Sequence, residues 1–183
     1  MGEQDTLPTL GWPALVAGPV FLCFEIAGKP GHKARHRSRL MIPRDAWVGT
    51  GDRAFIPKVN VKKIFIQQYP DPETEAYEKM IREYAGLLMN TQRLKPTENP
   101  VALVVHSFRP IPQSWSRTER ERALAANIRP TSRPDWDNYG KITDALNEVV
   151  WKDDSQVVDG RSLKYYSDDP ALRIEIREMV EPS

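Results

Sequence analysis

The sequence predicts a single α+β domain in which a mixed β-sheet carries its helices on one face. The 183 residues are enough for one domain with a sizeable hydrophobic core. Predicted strands and helices follow one another in the order β, β, α, β, α, α, β, β, which favours a mixed sheet covered by helices. The 16 prolines indicate that helices are few and loops are many.

The chain is predicted to begin with a flexible extension, residues 1–18, and to continue as one folded domain, residues 19–183. Val20 to Ala27 is rich in apolar and aromatic residues and predicts the first strand, which a Gly/Pro turn ends. Ala54 to Ile56 and Val59 to Phe65 predict short extended segments.

The remaining elements follow from periodicity and capping signals. Apolar residues at helical spacing predict a helix from Pro72 to about Met89. Ser116, with Glu119 three residues later, predicts a capping box at the start of an arginine-rich helix. In chain order, these later elements are a strand at Val101–Phe108, helices at Ser116–Ala126 and Asp137–Val149, and strands at Gln156–Tyr166 and Leu172–Arg177.

The net charge of +1 hides two basic segments. Lys29 to Arg44 contains six Lys/Arg, His32 and His36 but no acidic residue, and Arg109 to Arg133 contains six arginines. Such segments are expected where a local patch contacts phosphates, although scattered surface arginines also aid solubility. The two histidines are four residues apart, but a Gly/Pro/Arg loop does not give the helical spacing of a zinc pair.

The single cysteine and the N-terminal apolar stretch bear on the compartment. Cys23 cannot form an internal disulfide, and a buried, inert thiol fits a reducing cytoplasm. Leu10 to Ala27 is apolar but contains Pro13, Pro19 and Glu25, and no basic residue precedes it. It therefore predicts neither a membrane span nor a secretory signal.

The most informative stretch is RPDWDNYGKITDALNEVVWKDDSQVVD, from Arg133 to Asp159. Asp135 and Asp137 stand two apart at a proline-marked helix start, and Asp153 and Asp154 follow the end of that predicted helix. If the next strand pairs nearby, the four carboxylates lie close together and need a positive charge among them. A hard divalent cation such as Mg²⁺ takes oxygen ligands. A metal held in this way on a DNA-binding surface is typical of a phosphodiesterase site.

Several residues beside the aspartates have two interpretations each. Lys141 lies on the helical face of Asp137 and either stabilises charge on a phosphate or forms an ordinary i,i+4 ion pair. Asp144 either supports the metal site indirectly or holds Lys141. Trp151 is expected to anchor the core and position the acidic pair, whereas Trp136 either packs inward or stacks on bases.

Two structural alternatives also account for part of the acidic pattern. Aspartate caps helix N-termini well, but one cap explains only one of the four aspartates. An EF-hand loop would match Asp135, Asp137 and Gly140. It fails at Tyr139, where an oxygen ligand is needed, and at Leu146, which replaces the bidentate glutamate.

These residues resemble the signature of the RusA-type Holliday junction resolvases, small endodeoxyribonucleases common in bacteria and their prophages. That signature joins Asp-x-Asp-Asn, a lysine three residues later, Asp-Ala-Leu and Asp-Asp-x-Gln-Val. The corresponding residues here are Asp135, Asp137, Asn138, Lys141, Asp144–Leu146 and Asp153–Val157. The segment FEIAGKPGHKARHRSR is similar to the family's first strand and basic loop through Gly28, Pro30, Lys33, Arg35 and Arg37. The resemblance covers residues 20–178 in outline.

The resemblance implies a homodimer that resolves four-way DNA junctions by paired symmetric nicks in recombination and repair, using Mg²⁺ or, in its place, Mn²⁺. By the same resemblance, Asp135, Asp137 and Asp154 are the metal-binding catalytic carboxylates, and Lys141 is the essential lysine. Other residues of the motif would support the site without binding the metal directly, namely Asp153, Asp144 and Asn138. The residues expected to bind phosphates, and so to recognise junction shape, are Lys33, Arg35, Arg37 and Arg39.

Two other functions are compatible with the same residues. One is a Mg²⁺-dependent nuclease that acts on other branched or single-stranded DNA. The other is a junction-binding protein without catalysis, in which the carboxylates are structural and the basic loop binds the DNA. The presence of the whole acidic set together with Lys141 argues against the second function.

Overall fold

The protein is described here by a computed structural model that covers residues 16–34, 37–41, 43, 47–48, 58–59, 62, 65–69 and 71–181. Its strands and helices, in chain order, are β1 (Val16–Ala27), β2 (Arg37–Met41), β3 (Trp47–Val48), β4 (Lys58–Val59), β5 (Phe65–Tyr69), α1 (Pro72–Thr91), β6 (Val101–Pro110), α2 (Arg117–Leu124), α3 (Trp136–Gly140), β7 (Val157–Ser167) and β8 (Ala171–Val180). Two short 3₁₀ segments, Lys141–Leu146 and Asp154–Gln156, lie between α3 and β7.

The central sheet has four strands in the order β1-β8-β6-β7. Strand β8 pairs antiparallel with both β1 and β6, whereas β6 and β7 run parallel. Two small antiparallel pairs, β2 with β5 and β3 with β4, stand apart from this sheet. The predicted α+β class with a mixed sheet is confirmed.

The hydrophobic core lies between one face of this sheet and the helical segments. Alternate residues of a strand point to the same face, so β6 contributes Val101, Leu103 and Val105, all almost fully buried. Across the core, α1 contributes Ile81, Ala85 and Met89 at helical spacing. Further core side chains come from β1, β8 and the 3₁₀ segment after α3: Leu22, Phe24, Ile26, Leu172, Ile174, Ile176, Ile142 and Leu146.

The predicted starts of the first two helices, at Pro72 and Ser116, are observed. Helix α1 begins at Pro72, and the side chain of Asp71 accepts a hydrogen bond from the Thr74 amide at 3.3 Å. It runs two residues beyond the predicted end. At α2 the predicted capping box is confirmed, since Ser116 Oγ accepts from the Glu119 amide and the Glu119 carboxylate accepts from the Ser116 amide at 2.8 Å.

The loop after β1 approaches α1 so closely that it needs a glycine. A Cβ atom on Gly31 would lie 2.2 Å from the ring of Tyr77, far inside van der Waals contact. Gly28, with φ of +101°, turns the chain out of β1, and its amide donates to the Pro170 carbonyl at 2.7 Å. These two glycines direct the loop that follows β1, residues 28–34, toward the segment that carries the aspartates, residues 135–154. We call residues 28–34 the basic loop.

The helix predicted from Asp137 to Val149 is wrong beyond Gly140. Helix α3 ends there, and a 3₁₀ segment follows. The Thr143 hydroxyl donates to the Gly140 carbonyl at 2.7 Å, which favours the tighter turn. Glu148 then takes a left-handed conformation, φ 64°, and the chain reverses to bury Trp151. Because Asp137 lies inside α3, this region is also not an EF-hand loop.

Other expectations for the N-terminal half have mixed outcomes. Strand β1 begins at Val16 rather than Val20, while the proposed extension up to residue 18 stays a prediction. Ala54–Ile56 lies outside the described residues, and within Val59–Phe65 only residues 59, 62 and 65 are described.

Cys23 is half-buried, not buried as predicted. In the part of the chain that the structure describes, no helix has the length and apolarity of a membrane span.

Candidate functional site

Asp137 and Asp154 line one cavity of about 230 Å³ beside the edge strand β7. Asp137 comes from α3, and Asp154 comes from the 3₁₀ segment that leads into β7. Lys141 and Asp144 line the same cavity. We call this space, defined by these four residues, the carboxylate cavity. It unites one aspartate of each predicted pair.

Lys141 contacts Asp137 directly. Its Nζ donates to Asp137 Oδ2 at 2.6 Å, and both side chains remain open to solvent. This hydrogen bond holds the pKa of the Asp137 carboxyl below its usual value of 3.8, so the group is anionic at neutral pH. The i,i+4 ion pair anticipated from the sequence is therefore present, and it places a cation beside Asp137 in the lining of the carboxylate cavity.

The second acidic pair divides into two different roles. Asp153 is the N-cap of the 3₁₀ segment, and its Oδ1 accepts from the Ser155 amide at 3.0 Å. Hydrogen bonds with the side chain and then with the amide of Ser155 lower the pKa of the Asp153 carboxyl. Gln156 completes the cap by accepting from the amides of Lys152 and Asp153. Asp154, the residue that follows Asp153, lines the carboxylate cavity instead.

Asp144 holds Lys33, not Lys141. Lys33 Nζ lies 2.9 Å from Asp144 Oδ2 and 3.0 Å from Glu78 Oε1. Its backbone amide also donates to the Asn138 carbonyl at 2.8 Å. Burial alone would lower the pKa of Lys33, but its hydrogen bonds to Asp144 and Glu78 outweigh burial and raise it. Lys33 thus ties the basic loop to α1 and to the aspartate-bearing segment.

Replacing Lys33 with methionine is expected to lower the free energy of unfolding by about 1–2 kcal/mol. The change leaves two half-buried carboxylates, Glu78 and Asp144, without their shared cation. Because the folded-state pKa of Lys33 lies above 10.5, this contribution is complete at neutral pH and is lost only as the pH rises through that pKa. Urea unfolding at pH 7 measures the effect.

Lys79→Met is the matched control for this substitution. Lys79 pairs with Glu83 at 3.8 Å on the exposed face of α1, with side chains 75% and 67% exposed. Its loss is expected to change stability by no more than about 0.5 kcal/mol. Equal effects of the two substitutions would contradict a structural role for the Lys33 contacts.

Asp135 faces a different, neighbouring cavity of about 450 Å³. Four cationic residues share its lining: Lys33, which is paired with Glu78 and Asp144, and also Lys29, Arg109 and Arg133. We call this space, defined by Lys29, Arg109, Arg133 and Asp135, the basic cavity. Asp135 is the N-cap residue of α3, but its side chain makes no capping hydrogen bond. The capping alternative therefore does not account for its carboxylate.

The donor atoms suit a hard cation, although they do not form a closed cage. Among the described residues, no three His, Cys, Asp or Glu side chains converge on a metal-sized site. Mg²⁺ does not require such a cage, because it keeps several waters and usually binds one or two carboxylates together with substrate phosphates. Asp137 and Asp154, exposed on one cavity, fit that mode of binding.

The predicted phosphate-binding residues are only partly described. Lys33 contacts two carboxylates, so a phosphate would have to displace them. Arg37 and Arg39 lie on β2, and Arg35 lies outside the described residues. Lys29, Arg109 and Arg133, which line the basic cavity, were not among the predicted phosphate-binding residues. They nevertheless stand at the ends of the two basic segments that the composition indicates.

Two tryptophans flank the site in opposite environments. Trp151 is fully buried, and its Nε1 donates to Asn147 Oδ1 at 2.7 Å, which confirms the predicted core anchor. Trp136, between Asp135 and Asp137, is 62% exposed and lines the carboxylate cavity. Inward packing of Trp136 was therefore the wrong alternative.

The chain is similar to a known protein family and to a bacterial protein. The family model described as endodeoxyribonuclease RusA matches residues 52–177, which include the whole acidic stretch but begin after the loop at Gly28–Arg37. An uncharacterized protein of Bacillus subtilis (strain 168), YqaN, is 40% identical over 108 residues. The aligned region covers 57% of this chain and 76% of that protein.

Proposed function

Because the chain belongs to the RusA family of endodeoxyribonucleases, we propose that it resolves four-way DNA junctions by Mg²⁺-dependent hydrolysis of one phosphodiester bond in each of two opposed strands. The family assignment made from the motif residues is confirmed. Beyond the family, the proposal is that the substrate is a four-way junction, that the metal is Mg²⁺ and that the protein acts in recombination and repair.

One observation carries this proposal. Asp137, Asp154 and Lys141 line a single cavity, although Asp154 reaches it only through the chain reversal after the 3₁₀ segment. Exposed carboxylates and an ammonium group in one solvent-open space are groups that metal-assisted phosphodiester hydrolysis can use. Nothing in the core needs Asp154 at this position, since the cap of its segment is made by Asp153.

The residues of the carboxylate cavity have distinct proposed roles. Asp137 and Asp154 would hold Mg²⁺, with Asp135 as a further carboxylate from the neighbouring cavity. The ion, when bound, supplies a water of lowered pKa and stabilises charge on the phosphate oxygens. Lys141 would transfer its contact from Asp137 to the phosphate or the leaving oxygen as negative charge develops there. Asp144 and Asn138, both in contact with Lys33, would keep α3 in position.

Symmetric cleavage requires two copies of this site. A four-way junction presents two equivalent strands, and a two-fold symmetric homodimer places one active site on each. We therefore propose that the active species is a homodimer. Arg35, Arg37 and Arg39, which follow Lys33 in the first basic segment of the chain, would contact phosphates and recognise the shape of the junction rather than its sequence.

The experiment that tests this function compares DNA substrates. End-labelled mobile four-way junction, linear duplex and splayed fork are incubated with the protein in Mg²⁺, in Mn²⁺ and in EDTA. We expect paired nicks at symmetric positions on the junction in either metal, no cleavage in EDTA, and little cleavage of the linear duplex. Light scattering of the same sample measures the mass and tests the dimer.

Other results would replace the proposal with one of its alternatives. Equal cleavage of the fork and the junction would leave a nuclease of broader substrate range. Tight binding of the junction without cleavage in any metal would favour a junction-binding protein. Cleavage that persists in EDTA would exclude the metal-dependent mechanism.

A further inference from the structure

The basic cavity contains cationic side chains that have no acidic partner. Within the described part of the chain, Lys29, Arg109 and Arg133 form no salt bridge. Arg109 is nevertheless held in place, because its Nη1 donates to the carbonyl and to Oγ of Ser132, both at 3.2 Å. These hydrogen bonds to neutral groups fix the guanidinium without neutralising its charge, as an anion-binding arginine requires.

The positive charge of this cavity acts on His32, which also lines it. Burial contributes most to lowering the pKa of His32, the charges of Lys29 and Arg109 lower it further, and the charges of Asp71 and Glu73 oppose this shift without reversing it. The ring is therefore mainly neutral at pH 7. Asp135 is the one acidic residue among the described lining residues, so the cavity keeps an excess of positive charge.

The size and walls of the cavity indicate a ligand larger than a lone phosphate. Its volume of about 450 Å³ lies in the range of small-molecule sites. Its lining includes Pro134 and the half-buried ring of His32 beside the cations, and this ring packs edge-on against the buried Tyr139 at 6.1 Å between ring centroids. Apolar and aromatic walls are suited to a sugar and a base, and the free cations are suited to a phosphate.

The position of the cavity relates it to the cleavage site. Asp135 lines the basic cavity, whereas Asp137, two residues later, lines the carboxylate cavity. A group bound in the basic cavity would therefore lie beside the phosphate that reacts in the carboxylate cavity. We propose that the basic cavity holds one nucleotide of the strand being cut, adjoining the scissile phosphate, with its phosphate on Arg109 and Arg133. This inference rests on the proposed nuclease function.

A small probe tests this proposal without any cleavage. Binding of thymidine 3′,5′-bisphosphate to the metal-free protein is measured by calorimetry at low salt, with inorganic phosphate as a second titrant. Wild type is expected to bind the bisphosphate more tightly than inorganic phosphate. Arg109→Gln and Arg133→Gln are each expected to weaken bisphosphate binding by about tenfold or more, because each loses a charged hydrogen-bond donor.

Arg122→Gln is the matched control. It removes the same charge from an exposed position of α2 that does not line the cavity, and it should bind the bisphosphate as wild type does. Equal weakening by all three substitutions, equal affinity for inorganic phosphate, or no binding by wild type at millimolar concentration would each overturn the nucleotide site. The junction-cleavage experiment is decided separately, so failure of the cavity proposal and failure of the nuclease proposal are distinguishable.

Discussion

Asp137→Asn is expected to reduce the rate of junction cleavage by about a thousandfold or more while binding of the junction persists. The amide keeps the shape of the side chain but removes the negative charge that would hold the metal. It also removes the negative charge that pairs with Lys141, whose Nζ lies 2.6 Å from Asp137 Oδ2. Single-turnover cleavage at saturating protein gives the rate, and a gel-shift assay in EDTA gives the affinity.

The control for this substitution is Asp169→Asn, on the turn between β7 and β8. Asp169 is exposed and lines neither cavity, so its loss removes the same charge without touching the site. We expect cleavage by this variant to match wild type within about twofold. Full metal-dependent cleavage by Asp137→Asn would place the reaction elsewhere in the chain.

The parts of the fold with strong periodicity were predictable. Helix α1 and strands β6 and β8 lie within a few residues of the expected bounds, because their buried residues repeat at the spacing of a helix or a strand. Strand β7 also lies within one residue of its expected bounds, although none of its residues is fully buried. The segment after Gly140 was not, because its conformation depends on burying Ile142, Leu146 and Trp151 against the sheet. That tertiary requirement overrides the local helical pattern.

The candidate site was predictable as a set of residues but not as an arrangement. The motif indicated the aspartates, yet only the capping bonds of Asp153 and Gln156 distinguish this structural aspartate from Asp154, which lines the carboxylate cavity. The contact of Lys33 with Asp144 joins residues 111 positions apart in the chain. Local sequence gives no signal for such a pair, and a lysine in a basic loop looks the same whether it binds DNA or a carboxylate.

Trp151→Ala is expected to lower the free energy of unfolding by about 3–5 kcal/mol. The side chain is among the largest of those fully buried, and its removal leaves a cavity between the sheet and the aspartate-bearing segment. It also leaves Asn147 Oδ1 without the 2.7 Å hydrogen bond from the indole. For a domain of this size the melting temperature should fall by on the order of 10 °C, measured by calorimetry or circular dichroism.

Trp136→Ala is the same chemical change at an exposed position, since Trp136 is 62% exposed and Trp151 is 0% exposed. It should alter stability by no more than about 1 kcal/mol, and similar losses for the two variants would contradict the burial argument. Trp151→Phe separates packing from hydrogen bonding, because it keeps most of the ring volume but loses the donor to Asn147. If packing alone positions Asp154, Trp151→Phe should cleave the junction at the wild-type rate wherever it remains folded. If the bond to Asn147 also fixes the chain reversal before Asp154, the rate should fall at temperatures well below unfolding.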